Sequence, residues 1–458
     1  MKIESARRTA AGIHLSIALA ALLSSLPLLA DPAPAPAPTS PVTARLIASS
    51  EAGWPQWRGP RRDGISDETG LLAAWPREGP MRLWQTSGLG RGYSAPVIAG
   101  GRIFLTGDIG DDLVLFALSL DGNKLWTAKN GRAWKTPYPG ARAAVTFSEG
   151  HLYHLNAHGR VACFEADTGR EVWAVEIFET FGGRNITWAL SEGLLVDGPR
   201  VIVTVGGSEA LVAALDKRTG RVVWRTPPLK LGPANDPNHE RVTEPPGEFD
   251  NASYAAPILF EFGGRRLIAG CSTRHLFGVD AESGELLWTR ALPTRYSVIA
   301  ATPVLTDNGI FITAPDTDAG GLFRLGLDGN RVTIERAWST KLDTCHGGLV
   351  RTGDYLVGSR YRPPKGWLAL DVRSGEVRHE LPDLTMGSVI YADGRFYCLT
   401  QDGEMVLLKL SAAGFEYAGR FPFIAERKND VWTHPVILDG RLYLRYHENL
   451  SCYDIRAK

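Results

Sequence analysis

One repeated phrase constrains the fold of this chain more than any other feature of the sequence. In its regular form, a small residue and an apolar residue lead to a Thr-Gly, Ser-Gly or Asp-Gly turn, and a Trp follows four residues after the glycine. Each copy predicts two strands joined by a tight turn, because glycine readily adopts the positive φ that such turns require. Regular copies end at Trp126, Trp173, Trp224 and Trp288, a further copy ends at His379, and a stretched copy surrounds Trp338.

A second phrase lies upstream of each copy and predicts another hairpin. It consists of an apolar strand, a turn containing glycine and a second apolar strand. Two hairpins give four strands per unit, and division of the region 84–456 by eight gives about 47 residues per unit, which is the length of a propeller blade. The sequence therefore predicts an all-β fold, an eight-bladed β-propeller with four-stranded blades. The turn glycines are Gly101, Gly150, Gly198, Gly264, Gly309, Gly353, Gly394 and Gly440.

The two ends of the repeat region predict how the ring closes. The last unit stops after its third strand, whereas residues 81–86 lie before the first full unit and carry the blade-ending Trp84. We expect these N- and C-terminal strands to pair in blade eight. Such closure leaves no open sheet edge to template aggregation.

The N-terminus predicts export. Lys2, Arg7 and Arg8 precede an apolar run that ends at Ala30, the pattern of a secretory signal peptide. The alternative is a retained membrane anchor, because the uncharged stretch is nearly long enough to span a bilayer. We expect cleavage, no stable membrane insertion afterwards, and a periplasmic or secreted protein. The predicted organisation is a signal peptide (1–30), a Pro/Ala-rich linker (31–50), a lead-in segment (51–83) and the propeller (84–458).

Charge and cysteine content exclude several classes of protein. Lys plus Arg and Asp plus Glu both number 50, so the chain has no electrostatic footprint for nucleic acid. Five cysteines are too few for a disulfide scaffold of this length. Cys163 and Cys452 occupy the small-residue position of the repeated phrase, and we interpret them as core residues.

The order of strands in a propeller blade predicts where a ligand would bind. The glycine turns fall on one face of the ring, and the longer connections fall on the other, around the channel mouth. The residues before the inner strands should ring that mouth: Tyr93, Arg142, Trp188, Tyr254, His346, Met386 and His434. Loop residues expected to reach the same funnel are Arg184, Arg360, Arg362 and Lys365. The long connections are 127–142, 174–187, 226–251 and 421–431.

The predicted ligand-binding set mixes aromatic rings, imidazoles and guanidinium groups. Such a set suits an anionic, planar or sugar-like ligand, because arginine forks match carboxylates and aromatic rings offer flat faces. The alternative is a solvated funnel whose aromatic side chains pack beneath the loops. The members of the set are Tyr93, Arg142, Trp188, Tyr254, His346, Arg360 and His434.

The sequence evidence for metal ligands is weaker than the evidence for the ligand-binding set. His151, His154 and His158 have helical spacing but lie in a predicted hairpin, where alternate residues point to opposite faces. The acidic groups at 108–112 and 316–318 do not complete a calcium-binding loop. No metal ligand is therefore assigned.

The repeated phrases resemble the tryptophan-docking motif of quinoprotein-like propellers over residues 54–454. The stretches WPQWRGPRRDGIS and GYSAPVIAGGRIFLTG resemble a secreted bacterial branch with pyrroloquinoline-quinone-like repeats. The quinoprotein alcohol dehydrogenases add an adjacent Cys–Cys pair, calcium ligands and a catalytic Asp. This chain has no adjacent cysteines, no match to the calcium and Asp pattern and no CxxCH haem site, so the resemblance assigns no catalytic residue.

The sequence favours a non-catalytic scaffold outside the cytoplasm, with an unidentified protein partner or small ligand at the channel mouth. A quinoprotein dehydrogenase of alcohols or sugars with a divergent site is the alternative. That alternative implies pyrroloquinoline quinone with calcium as its cofactor. A glycan-binding or glycan-processing module is a third hypothesis, suggested by the Trp and Tyr residues at the mouth.

Overall fold

The computed structural model describes residues 42–231 and 248–457 of the chain. The predicted signal peptide and the first part of the predicted linker, up to residue 41, lie outside the described residues, as does part of the 226–251 connection. Two short strands precede the first blade, β1 (Arg45–Leu46) and β2 (Met81–Thr86).

The first four blades each contain four antiparallel strands in sequence order. Blade 1 contains β3 (Val97–Ala99), β4 (Arg102–Ile109), β5 (Asp112–Ser119) and β6 (Lys124–Arg132). Blade 2 contains β7 (Thr146–Ser148), β8 (His151–Leu155), β9 (Arg160–Glu165) and β10 (Glu171–Glu176). Blade 3 contains β11 (Leu195–Asp197), β12 (Arg200–Thr204), β13 (Val212–Asp216) and β14 (Val222–Arg225). Blade 4 contains β15 (Ile258–Phe262), β16 (Arg265–Cys271), β17 (His275–Asp280) and β18 (Leu286–Ala291).

Blades 5 to 7 repeat the same order. Blade 5 contains β19 (Val304–Thr306), β20 (Gly309–Ile312), β21 (Gly321–Asp328) and β22 (Arg331–Ser339). Blade 6 contains β23 (Val350–Thr352), β24 (Tyr355–Ser359), β25 (Trp367–Asp371) and β26 (Val377–Leu381). Blade 7 contains β27 (Gly387–Ala392), β28 (Arg395–Thr400), β29 (Glu404–Ser411) and β30 (Gly414–Pro422).

Blade 8 closes the ring. It contains β31 (Val436–Leu438), β32 (Arg441–Tyr446) and β33 (Asn449–Asp454), and β2 pairs with β33 as its outermost strand. Trp84 of β2 lies opposite Cys452 of β33 in this pairing. The predicted eight-bladed propeller with four-stranded blades, closed by its N- and C-terminal strands, is confirmed.

The connection 174–187 contains one short helix, α1 (Ile177–Phe181). Its side chains Ile177 and Phe181 are buried, and the helix ends where Gly182 takes the left-handed φ of 65°. No helix within the described ranges is long and apolar enough to cross a membrane.

The repeated tryptophans contact the following blade. The Trp126 indole N–H of blade 1 donates to the Ala166 carbonyl of blade 2 at 3.1 Å. The ring lies against the turn at Gly169, where a Cβ atom would collide with it. Glycine is therefore required there both by its φ of 72° and by the ring. The same N–H to carbonyl contact joins Trp84 to Leu120, Trp173 to Lys217 and Trp338 to Val372.

Residues 44–68 run along the glycine-turn side of the ring and contact its inner strands, and we call them the channel segment. The segment begins with β1, which pairs with β15, the innermost strand of blade 4. Further on, Trp54 exchanges backbone hydrogen bonds with Ile98 of blade 1. These contacts lie near the short glycine turns, so the channel segment fills the end of the channel that faces away from the long connections.

Candidate functional site at the channel mouth

The other end of the channel opens into a cavity of about 400 Å³, which we call the mouth cavity. Its wall is formed by residues that precede the innermost strands and by loops between second and third strands. Five residues of the predicted ligand-binding set line it, and these are Tyr93, Arg142, Trp188, Tyr254 and His346. The volume falls within the range of small-molecule sites in proteins.

Two residues of the predicted set do not line the cavity. Arg360 forms an ion pair with Glu380 on the outermost strand of blade 6, so its guanidinium is directed away from the channel axis. His434 is buried beneath the wall, in contact with Trp57 and Arg58 of the channel segment. Of the other residues expected at the funnel, Arg362 lines the cavity, whereas Arg184, Lys365 and Met386 do not.

Aromatic rings form most of the wall around Trp432. Tyr93 stacks on Trp432 with ring centroids 4.8 Å apart and an interplanar angle of 29°. His346 lies at 4.8 Å and Tyr138 at 5.2 Å from the same ring. Trp57 of the channel segment also lines the cavity. The cavity therefore has flat aromatic surfaces on its sides, and Trp57 lines it where the channel segment fills the channel.

Sequence reasoning missed several of these residues. Tyr296 lies eight residues before β19, whereas Tyr93 and His346 lie four residues before their inner strands, so the same spacing would have selected Ala300 instead. Tyr138 lies in the predicted 127–142 connection, and Trp432 lies two residues before His434. No sequence signal marked Trp57, because it lies outside the repeats.

The cavity contains two arginines with different partners. Arg362 makes an ion pair with Asp316 at 2.7 Å and lies over the Tyr361 ring at 4.7 Å. Arg142 lies over the Tyr93 ring at 5.5 Å and bonds the Tyr138 carbonyl of its own connection at 2.5 Å. Its Nε is buried without a hydrogen-bond partner. Burial lowers the pKa of Arg142, and attraction to nearby Tyr93 opposes that shift.

Two further titratable groups of the wall, Cys345 and His346, are neutral at pH 7. Burial lowers the pKa of His346 to about 4, so its imidazole is uncharged. Burial raises the pKa of Cys345 to about 12, which keeps the thiol protonated and weakly nucleophilic. The electrostatic character of the cavity therefore depends on Arg142 and on the Arg362–Asp316 pair.

Comparison with known proteins places the chain in a family. Residues 117–381, more than half of the chain, match the family described as outer membrane protein assembly factor BamB. The chain belongs to this family. The match confirms the resemblance to quinoprotein-like propellers with pyrroloquinoline-quinone-like repeats.

One curated relative is similar to this chain in sequence, and two solved structures are similar to it in fold. BamB of Yersinia pestis is 24% identical over 345 residues, which cover 67% of this chain and 85% of that protein. The crystal structure of BamB from Moraxella catarrhalis has a TM-score of 0.54 and 14% identity, covering 82% of this chain and 98% of that one. The quinohaemoprotein alcohol dehydrogenase of Comamonas testosteroni has a TM-score of 0.58 and 14% identity, covering 88% and 81%. At a sequence identity of 14%, these two structures show that the fold is shared and show nothing more.

The residues of the mouth do not fit the calcium that the quinoprotein resemblance implies. Calcium prefers six to eight oxygen ligands. Asp316 is the one carboxylate among the residues that line the cavity in the described part of the chain, and Arg362 already binds it. The described residues contain no group of three or more His, Cys, Asp or Glu side chains that could hold a metal ion.

The weaker metal candidates are also separated. The His154 ring is buried beside Asn130, 2.8 Å from its amide nitrogen, whereas the His158 ring contacts the Ala133 carbonyl. Asp111 and Asp112 make ion pairs with Lys135 and Lys129, respectively. These contacts leave no common centre for a metal ion at either group.

Proposed function

We propose that this protein is a non-catalytic propeller scaffold that holds a protein partner or a small ligand at the mouth cavity. The observation that carries the proposal is the chemistry of that cavity. It joins flat aromatic surfaces to a guanidinium with an unused donor, and its histidine and cysteine are held neutral. Such a site binds well but supplies neither an activated nucleophile nor an acid–base pair.

Family membership supports the same role. The Yersinia pestis relative is an assembly factor for outer membrane proteins by its name, and the match extends over 67% of this chain. We propose that this chain likewise works outside the cytoplasm with a protein partner. The N-terminal signal pattern described above supports that location.

The expected ligand group is anionic and planar. The Arg142 Nε lies buried without a partner beside Tyr93, and a buried donor gains most from a charged acceptor. Aromatic walls accept a flat ring or the apolar face of a sugar. A partner protein would supply this group from an exposed side chain or a chain terminus.

Site-specific photocrosslinking in the native compartment tests the proposal. A photoreactive amino acid replaces Tyr138, which lies at the mouth and is 49% exposed. The matched control replaces Tyr417, which is 44% exposed and lies on β30, the outermost strand of blade 7. We expect one discrete adduct from position 138, reduced at least fivefold by Arg142→Gln, and none from position 417. Equal adducts from both positions would contradict binding at the mouth.

Calorimetry separates the scaffold from the dehydrogenase alternative. The purified protein is titrated with pyrroloquinoline quinone, with and without calcium. We expect no calcium-dependent, saturable one-to-one binding, because the cavity lacks the oxygen ligands for the metal. Saturable calcium-dependent binding together with dye-linked oxidation of alcohols or sugars would replace the scaffold with the enzyme.

A further inference from the structure

The channel segment contacts the innermost part of every blade. Its contacts run from β1 on blade 4 through Trp54 on blade 1 to Ser66 on blade 7. No other part of the described chain outside the repeats reaches the inner strands in this way. The remaining contacts are Pro55 to Phe147 in blade 2, Arg62 to Leu194 in blade 3, Trp57 to Thr302 in blade 5, Arg58 to Leu349 in blade 6, and Arg58 to His434 in blade 8.

The Arg58 guanidinium is enclosed by main-chain groups of the channel segment and of the inner strands, and we call this enclosure the Arg58 socket. Its side chain is 3% exposed and donates to the main-chain carbonyls of Asp63, Leu349 and Val389. A Cβ atom at Gly348 would collide with its guanidinium. Burial lowers its pKa to about 10, so the group remains charged at neutral pH.

Arg58 also fixes the state of a buried histidine. Its Nη1 lies 3.3 Å from Nδ1 of His434. Because a guanidinium can only donate, Nδ1 must accept, and the ring proton is on Nε2. That Nε2 donates to the main-chain carbonyl of His346 at 2.9 Å. Arg58 is therefore linked through His434 to a residue that lines the mouth cavity.

Trp57, the residue before Arg58, also contacts His434. The Trp57 ring packs on His434 with centroids 4.5 Å apart, and its N–H donates to Thr302 Oγ1 at 2.9 Å. Trp57 also lines the mouth cavity, beside His346. Two consecutive residues of the channel segment thus contact one histidine, Trp57 through ring packing and Arg58 through a hydrogen bond.

We propose that the channel segment builds the floor of the ligand site: Trp57 is a specificity-determining residue, and Arg58 is a positioning residue that holds Trp57 and His346 through His434. The inference rests on the proposed function of the mouth cavity. It implies that the ligand surface of the propeller is completed by residues outside its repeats, and that substitutions at the filled end of the channel alter binding at the open end.

The test combines a binding measurement with a spectroscopic one on the full chain. The probe is 8-anilinonaphthalene-1-sulfonate, an aromatic dye whose fluorescence rises in apolar cavities and whose sulfonate supplies the anionic group that the proposed function expects. The variants are Trp57→Ala, Arg58→Met, Arg58→Lys and His434→Gln. The matched control is Arg61→Met, because Arg61 belongs to the same segment but pairs with Asp63 and Asp67 rather than with the blades. The second readout is the ¹⁵N spectrum of histidine-labelled protein, with His434 assigned from its variant.

We expect dye affinity to fall about tenfold in Trp57→Ala and about fivefold in Arg58→Met, with partial recovery in Arg58→Lys and no change in Arg61→Met. The wild-type His434 ring should show a protonated Nε2 and an accepting Nδ1, and the Nδ1 signal should shift in Arg58→Met. Unchanged binding and an unchanged Nδ1 signal in Arg58→Met would overturn the proposal. An equal loss in Arg61→Met would also overturn it.

Two further outcomes remain decisive. If Arg58→Met does not fold, Arg58→Lys and His434→Gln make the same test with smaller changes. If the dye does not bind wild-type protein, the mouth cavity as a binding site is contradicted, whereas the Nδ1 signal still decides whether Arg58 positions His434. Failure of the proposed function and failure of the positioning role are therefore separate results.

Discussion

The two ends of the propeller channel use arginine in opposite ways. At the filled end, Arg58 and Arg62 are almost completely buried and donate to main-chain carbonyls of the surrounding blades. At the open end, Arg142 bonds carbonyls of its own connection, and its Nε has no partner. An arginine whose Nη groups donate to carbonyls of the blades is part of the structure, although the Arg62 Nε, like that of Arg142, is buried without a partner. Arg142 bonds only carbonyls of its own connection, so a ligand in the mouth cavity would engage its guanidinium without removing a hydrogen bond from the blades.

The difference between the two ends predicts that the largest loss of stability follows substitution of Arg62. Arg62→Met removes the donor to Leu194, Gly193 and the Gln56 side chain, and of these three acceptors the Leu194 carbonyl keeps a second donor, the Thr146 hydroxyl. We expect a loss of about 3 kcal/mol in the free energy of unfolding, measured by urea denaturation. Arg61→Met is the control and should cost less than about 1 kcal/mol, because its ion pairs are partly exposed. Equal losses in the two variants would contradict the difference between buried and surface arginines.

Glu192 tests the electrostatics of the filled end. This carboxyl is 1% exposed, and burial raises its pKa to about 7 against the weaker opposing effects of hydrogen bonds from Thr204 and of the Arg62 charge. Because the folded state holds the proton more tightly than the unfolded state, stability falls as pH rises from about 4.5 to 7. Glu192→Gln does not titrate, so it should exceed wild type by about 3 kcal/mol at pH 8 and match it at pH 4.5. A difference that does not depend on pH would show that the carboxyl is not the cause.

Gly64 tests the fit of the Arg58 socket. A Cβ atom there would collide with the Arg58 guanidinium, and the residue has a φ of 75°. Gly70 has a φ of 72°, but a Cβ atom there meets nothing within 4 Å. We expect Gly64→Ala to cost about 2 kcal/mol and Gly70→Ala about 1 kcal/mol, the backbone term alone. Equal melting temperatures for the two variants would show that the socket tolerates a side chain.

The smallest expected change in stability is at the open end. Arg142→Gln should alter the free energy of unfolding by less than about 0.5 kcal/mol, because the side chain is partly exposed and bonds only its own connection. The same variant should weaken capture of the partner at the mouth. A destabilisation comparable to that of Arg62→Met would remove the distinction between the two ends.

The sequence predicted the fold better than the site. The ring could be counted because each blade repeats the turn glycine of its first hairpin, because most blades end on an aromatic residue, and because Trp84 marked the closing strand. Tyr93, Arg142 and His346 reach the cavity because topology fixes the residues before inner strands. The channel segment could not be placed, because Arg58 bonds Leu349 at a separation of 291 residues and no periodic pattern records that contact.

Hydrogen exchange of the native protein, followed by mass spectrometry, tests the central claim most directly. The amides of Trp54 and Ser66 in the channel segment donate to inner strands, whereas the 127–142 connection borders the open cavity. The account predicts that peptides covering 54–66 exchange as slowly as those covering β4 and β5, and that peptides covering 133–140 exchange much faster. Fast exchange of 54–66 would show that this end of the channel is not locked by the segment and would contradict the account.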